Sequence, residues 1–278
     1  MIELPEAATI ARQMNETLAG RRITSVTIAE DRPKFMFANE NLADYDTRLV
    51  GTTIVASRPS GKWILSQLDR GPILLLGEMF GRIRYVPPEA ALPKKAHGVV
   101  TFDDGGRLVA TIQAWGGFLV LTPEELAEHP FAGDQGPSPI DRSFTVDCLC
   151  QALDERTDWN RKPIKAFLVH EGNVAGIGNG YLQDILFRAR LSPKRKVPEI
   201  DDAGRERLHR AIVDTITEAI RLRGRDTEKD LFGEPGGYVP ILDRRAAGKP
   251  CPECGTPIEK ISYLGGSCYL CPQCQPAP

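Results

Sequence analysis

The sequence predicts an α+β chain in three parts: a β-rich half flanked by a helix, a helical half, and a small cysteine-bound appendage. Three observations lead there. Residues 22–121 break into eight short runs rich in β-formers and separated by turn residues. Residues 144–222 change to helical spacing, around a glycine-rich turn at Gly176-Ile177-Gly178-Asn179. The last residues carry Cys251-Pro-Glu-Cys254 and, after 16 residues, Cys271-Pro-Gln-Cys274.

The chain opens on a helix over residues 3–19, with Ile10, Met14 and Leu18 on one face. Glu3 and Glu6 stand at its start, where the helix dipole favours carboxylates. The β runs follow at Ile23–Ile28, Thr53–Arg58, Trp63–Leu68, Ile73–Leu76, Arg82–Val86, Gly98–Phe102, Leu108–Ile112 and Phe118–Leu121. They suit a two-layer β-sandwich or a flattened barrel. Lys62 opens a strand in a turn, where it is either a solvated lysine or a phosphate contact. Met79 and Phe80 put two large apolar groups in another turn, as core or as a wedge for a base stack.

Residues 130–143 are rich in Pro, Gly and Asp and read as a linker. Helices are expected at Val146–Leu153, Ile164–His170, Gly180–Ala189 and Ala203–Leu222. The glycine turn before Tyr181 offers a helix N-terminus to an anion, with Asn179 at the N-cap position. An ordinary helical hairpin explains the same spacing. The basic run Arg221, Arg223, Arg225 reads as dipole partners at a helix end or as a DNA-facing patch. Residues 226–248 read as a mobile, glycine-rich loop.

The two C-x-x-C pairs make a structural zinc site with four cysteine ligands, Cys251, Cys254, Cys271 and Cys274. About 28 residues cannot bury an adequate core, so the metal is expected to fold this segment. With four thiolate ligands the zinc has no open position for chemistry. The other three cysteines, Cys148, Cys150 and Cys268, are expected as free thiols.

Composition limits the rest. The chain has 278 residues, enough for two domains and an appendage. No apolar run reaches membrane-spanning length and no signal peptide is evident, so a cytoplasmic protein is expected, with a monomer as the default. A net charge of −2 argues against DNA binding by bulk electrostatics and leaves a local patch as the route.

In this order the motifs resemble the formamidopyrimidine-DNA glycosylase and endonuclease VIII family. The residues that carry the likeness are ELPEAATI at Glu3–Ile10, Gly61-Lys62, VAGIGNGY at Val174–Tyr181, CPECGTPIEKI from Cys251, and CPQCQ from Cys271. The resemblance implies an N-terminal catalytic-type β-sandwich domain at 1–130, a helix–two-turn–helix domain at 144–225 and a zinc β-hairpin finger at 238–278. It implies double-stranded DNA, damaged or abasic, as partner, and excision of a flipped base followed by strand cleavage through an N-terminal proline. Residue by residue, Glu3 matches the acid/base glutamate and Glu6 the second family carboxylate. Lys62 and Asn179 match phosphate contacts, Met79 matches the void filler, and Tyr181, in the same motif as Asn179, is expected to contact DNA.

Three positions depart from that pattern. Ile2 stands where the family has proline, which leaves the Met1 α-amine as the terminal nucleophile. Gln113-Ala114 replaces a wedge arginine, with Trp115 beside it able to stack on a base. Gly266 falls where the finger carries an arginine. A glycosylase with weak or absent lyase activity is expected, with Glu3 activating water. The alternatives are a catalytically inactive binder of damaged or abasic DNA and a scaffold turned to RNA or protein.

Overall fold

The computed structural model describes residues 1–78, 80–155, 161–170 and 172–277. They form two compact units, one of residues 1–134 with 220–238, the other of 135–219 with 239–278.

The first unit opens with α1 (Leu4–Leu18) and carries β1 (Ile23–Ile28), β2 (Phe35–Phe37), α2 (Ala43–Leu49), β3 (Ile54–Ser60), β4 (Trp63–Leu68), β5 (Ile73–Gly77), β6 (Gly81–Val86), β7 (Gly98–Phe102), β8 (Arg107–Ile112), β9 (Trp115–Leu121) and α3 (Pro123–Ala127). The strands make a four-stranded sheet, β1-β7-β8-β6, and a five-stranded sheet, β2-β9-β5-β4-β3. Among the described strands of this unit, β2 alone runs parallel to its neighbour. All eight β runs expected from the sequence are present. The elements the sequence reading missed, β2, α2 and α3, are too short to show a period.

Alternation decides which residues enter which layer. Ile64, Leu68, Leu74, Leu76, Phe118 and Val120 face the main core with Ile10, Met14 and Leu18 of α1. Their neighbours Trp63, Leu65, Leu75, Leu119 and Leu121 form a second cluster on the other face of the same sheet. The central strands β4, β5 and β9 are therefore largely buried on both faces, and β5 reads as a continuous apolar run. Each such side chain contributes about 1.5–3 kcal/mol on burial. At Gly117 a Cβ would lie 2.2 Å from the Trp63 ring, so this strand position admits no side chain.

The second unit carries α4 (Val146–Glu155), α5 (Ile164–Val169), α6 (Asn179–Arg188), most of α7 (Asp202–Arg221) and the hairpin of β10 (Glu259–Tyr263) and β11 (Gly266–Leu270). Phe167, Leu168, Tyr181, Leu182, Ile185, Leu186, Leu208, Ile212 and Ile216 are among its buried apolar residues. Asp184, fully buried on α6, accepts from the backbone N–H of Ile241 at 2.9 Å and Leu242 at 2.8 Å. Gln183 holds β11, donating to the Ser267 carbonyl and accepting from the Tyr269 N–H, both at 3.2 Å. The hairpin turns on Leu264 (φ +49°) and Gly265 (φ +72°), the two left-handed residues of a tight two-residue turn. Among the described residues no helix is long and apolar enough to cross a membrane.

Candidate active site and metal centre

In the first unit the start of α1 gathers the carboxylates. Glu3 is the N-cap, and Glu6 closes a capping box by accepting from the Glu3 N–H at 3.0 Å. The two are nonetheless 0% and 3% exposed, which a surface cap would not be. Their counter-ion is Arg225. Its Nε donates to Glu6 Oε1 at 3.2 Å and its backbone N–H to the same oxygen at 3.1 Å. Nη2 lies 3.5 Å from Glu3 Oε1 and donates to the Met1 carbonyl at 2.6 Å. The Met1 α-amine pairs with Glu228 at 2.7 Å. Ile2, between these groups, is buried in the main core.

This corrects two expectations. Helix α7 ends at Arg221, so Arg225 is neither a dipole partner nor a surface cation; it is buried and bonded inward. Residues 226–238, the first part of the stretch 226–248 expected to be a mobile loop, belong to the first unit and are pinned within it. Asp230 accepts from Gln13 Nε2 at 2.8 Å, the Leu231 N–H donates to Gln13 Oε1 at 3.0 Å, and the Tyr85 N–H donates to the Leu231 carbonyl at 2.9 Å. None of these contacts is local in sequence, so no pattern within the loop could announce them.

Lys62 lies in the turn between β3 and β4, nearly buried, with its ammonium 3.6 Å from Glu78. Met79 lies outside the described residues. Phe80 and Trp115 are 43% and 39% exposed, with ring centroids 5.5 Å apart. Backbone bonds from the Phe80 N–H to the Trp115 carbonyl (2.9 Å) and from the Gln113 N–H to the Phe80 carbonyl (2.7 Å) fix the pair. Two exposed aromatics held in contact are suited to stacking on bases. The sequence marked each residue separately and could not join them.

In the second unit the glycine turn is partly as expected. Gly176 is left-handed at φ +75°. The N-cap of α6, however, is Gly178, and Asn179 is the first helical residue, exposed at the helix N-terminus. Tyr181, read as a DNA contact, is fully buried, and in this conformation its ring is packing. Lys165 is a residue the sequence reading passed over. It is buried, donates to the Tyr263 carbonyl at 2.7 Å and to Cys268 Sγ at 3.3 Å, and so holds the finger hairpin. A Cβ at Gly266 would lie 2.5 Å from Asn179 Nδ2 and 3.6 Å from Lys165 Nζ. A side chain at this position would have to push the exposed Asn179 amide aside.

The four cysteines Cys251, Cys254, Cys271 and Cys274 put their sulfurs within 4.8 Å of one another. Separations of 3.9 Å (Cys251 to Cys274) and 3.4 Å (Cys254 to Cys271) bracket the edge of about 3.8 Å that a tetrahedron of about 2.3 Å Zn–S bonds requires. Backbone N–H groups of Glu253 and Cys274 donate to the Cys251 and Cys271 sulfurs at 3.4 Å, as thiolate ligands need. Without a cation the thiols ionise unequally: the Thr256 hydroxyl brings the pKa of Cys254 down to about 6, while burial pushes that of Cys274 up to about 12. The set fits one structural Zn2+.

Comparison with known proteins agrees with this reading of the chain. Three family descriptions match: "Formamidopyrimidine-DNA glycosylase N-terminal domain" over residues 1–113, "Formamidopyrimidine-DNA glycosylase H2TH domain" over 135–230, and "Zinc finger found in FPG and IleRS" over 248–277. A formamidopyrimidine-DNA glycosylase of Symbiobacterium thermophilum is 35% identical, across 100% of this chain and 90% of its own. The chain belongs to the formamidopyrimidine-DNA glycosylase family.

Another relative of that name, from Chloroflexus aurantiacus, is 32% identical over 99% of this chain and 98% of its own. Among solved structures, a complex between the Lactococcus lactis Fpg and an abasic site containing DNA shares the fold, with a TM-score of 0.85 at 23% identity over 99% of this chain and 100% of that one.

Proposed function

We propose that this protein is a DNA glycosylase of base excision repair, which binds double-stranded DNA at a damaged base and releases that base. The observation that carries this is the pair of buried carboxylates at the start of α1, Glu3 and Glu6, held against Arg225. A surface helix cap has no need of such burial; a group that must act on a flipped nucleotide does. Glu3 activates the water that attacks the sugar. Glu6 holds Arg225. Lys62 and Asn179 take phosphates, and Phe80 with Trp115 fills the gap in the stack. The curated relatives' shared name supports this reading.

Strand cleavage is weak or absent on this reading. Ile2 is a buried apolar residue, and the Met1 amine is engaged by Glu228. The working division is a catalytic domain at 1–130, a helix–two-turn–helix domain at 144–225 and a finger at 238–278, in a monomer that works at the nucleoid.

Two assays on purified protein test this. In the first, duplexes with single oxidised, ring-opened or alkylated bases are scored for base release, with Glu3→Gln beside wild type. In the second, an abasic duplex is treated with borohydride and the protein's intact mass is taken. Release that is lost in Glu3→Gln, with little or no adduct, is the expected result. An adduct at Met1 would restore the lyase. Lesion-selective binding with no release from any duplex would make the protein an inactive binder.

A further inference from the structure

Arg207, Arg210 and Asp214 recur at helical spacing along one face of α7, with Ala211 among them. The end of α6 brings Arg188 and Arg190 to the same place, and the first finger knuckle brings Glu253. Together they line a cavity of about 480 Å3, a size usual for small-molecule sites. Its Phe187 and Ala211 are buried and its Ile241 half-buried, which makes an apolar floor. Arg190, Arg207 and Arg210 are exposed at its rim. Every one of these residues belongs to the second unit.

The three rim guanidiniums lack the partners that other arginines of the same two helices have. Arg188 donates to Glu218 at 2.7 Å, and Arg205 pairs with Asp154 at 2.7 Å. Among the described residues no carboxylate pairs with Arg190, Arg207 or Arg210, although Asp214 is one turn along from Arg210. Arg190 also stands where the backbone favours glycine. It follows the C-cap Ala189 in a left-handed conformation at φ +57°. Its N–H donates to the Phe187 carbonyl at 3.0 Å, and the Leu191 N–H donates to the Leu186 carbonyl at 2.9 Å. That is the glycine position of a Schellman cap, and here it carries a guanidinium.

We infer that this cavity is a nucleotide site, in which Arg190, Arg207 and Arg210 take the phosphates of a nucleoside diphosphate. Guanidinium forks match phosphate oxygens and stay charged at any physiological pH. Asp214 and Glu253 on the same wall repel a ligand that is anionic throughout. Ionised carboxylates only accept hydrogen bonds, so they call for a ligand that also carries donors. A nucleotide meets all three demands: phosphates for the rim, sugar hydroxyl and base amine for the carboxylates, and a ring face for Phe187, Ala211 and Ile241. An acidic peptide brings further carboxylates against Asp214 and Glu253.

Calorimetric titration of the full-length, zinc-loaded protein with 2′-deoxyadenosine diphosphate tests this. Pyrophosphate, deoxyadenosine and a poly-aspartate peptide are titrated beside it. One nucleotide per chain is expected, with pyrophosphate weaker and deoxyadenosine weaker still. Arg207→Ala combined with Arg210→Ala should weaken the nucleotide about tenfold or more, because both lost bonds are charge-assisted. Arg190→Gly should weaken it about fivefold without lowering Tm, because glycine takes this conformation freely. If the double variant does not fold, Arg190→Gly decides alone. No binding at about 1 mM nucleotide, or an affinity unchanged in the variants, would overturn the inference. Poly-aspartate bound more tightly than the nucleotide would overturn it in favour of an acidic protein segment. Undamaged duplex that displaces the nucleotide, and is itself weakened equally by the variants, would overturn it by assigning these arginines to the DNA interface.

Discussion

Glu78 lies 3.6 Å from Lys62, and it reaches that position in a left-handed conformation at φ +41°. Its backbone N–H donates to the Lys62 carbonyl at 3.0 Å, so the two residues are joined through main chain and side chain alike. A nearly buried ammonium needs a counter-charge, and in the free protein Glu78 supplies it. On the proposed function, a DNA phosphate at Lys62 would compete with that carboxylate for the ammonium.

Lys62→Met is therefore expected to weaken duplex binding irrespective of sequence and to reduce the salt slope of log Kd by about 1. Glu78→Gly is expected to act in the opposite direction, tightening binding by up to about fivefold, or ~1 kcal/mol. Its stability should stay within about 1 kcal/mol of wild type, because relief of the left-handed side chain offsets the entropy of glycine. Titrations at several salt concentrations check both variants; tighter binding by Lys62→Met would refute the contact.

Substitutions at the carboxylate centre should be unequal in cost. Arg225→Met leaves Glu3 and Glu6 buried without this cation and is expected to cost about 3–5 kcal/mol. Glu6→Gln keeps Arg225 facing Glu3 and Glu228 and should cost less, about 1–3 kcal/mol. Urea unfolding curves of the two variants decide the order.

The finger should unfold without its metal. Chelation is expected to release one Zn2+ per chain and to abolish protection of the β10–β11 hairpin, while β4 and β5 stay protected in hydrogen exchange. Because Zn2+ takes thiolates, binding expels protons and must weaken as pH falls. Replacement by Co2+ should give the absorption of a tetrahedral all-sulfur site. Cys271→Ser, at a fully buried ligand, should lose the metal.

Acid should loosen the first unit through His97. This side chain is buried, and its Nδ1 accepts from the Ile112 N–H at 2.8 Å, so the folded state requires a neutral ring. Burial holds its pKa below the ordinary histidine value of 6.5. The contribution of the neutral ring is therefore complete above pH 6.5 and is lost as pH falls through the lower folded value. His97→Gln should flatten the pH dependence of Tm between about pH 7 and 5.

Trp115→Ala should weaken binding to a lesion duplex by about 1–3 kcal/mol, the worth of one stacked base. Stability should change little, because the ring is already exposed. Fluorescence of a base analogue opposite the lesion reads the stacking directly.

What could be read from residue order alone is what depends on short separations. Strand alternation, the helical spacing of α1 and α4–α7, and the two C-x-x-C pairs all lie within short windows of the chain. They were enough to place both sheets, the helical half and the zinc ligands. The family followed from the same local motifs.

The working arrangement of the site was decided by tertiary structure. Arg225 meets Glu6 across 219 positions of sequence, Lys165 reaches Tyr263 across 98, and the Phe80–Trp115 pair is made by adjacent strand ends. In sequence Arg225 is one more basic residue after a helix, and Glu78 one more turn residue. Their roles come from burial: a charge removed from water must find its opposite, and only the folded chain determines which opposite is in reach.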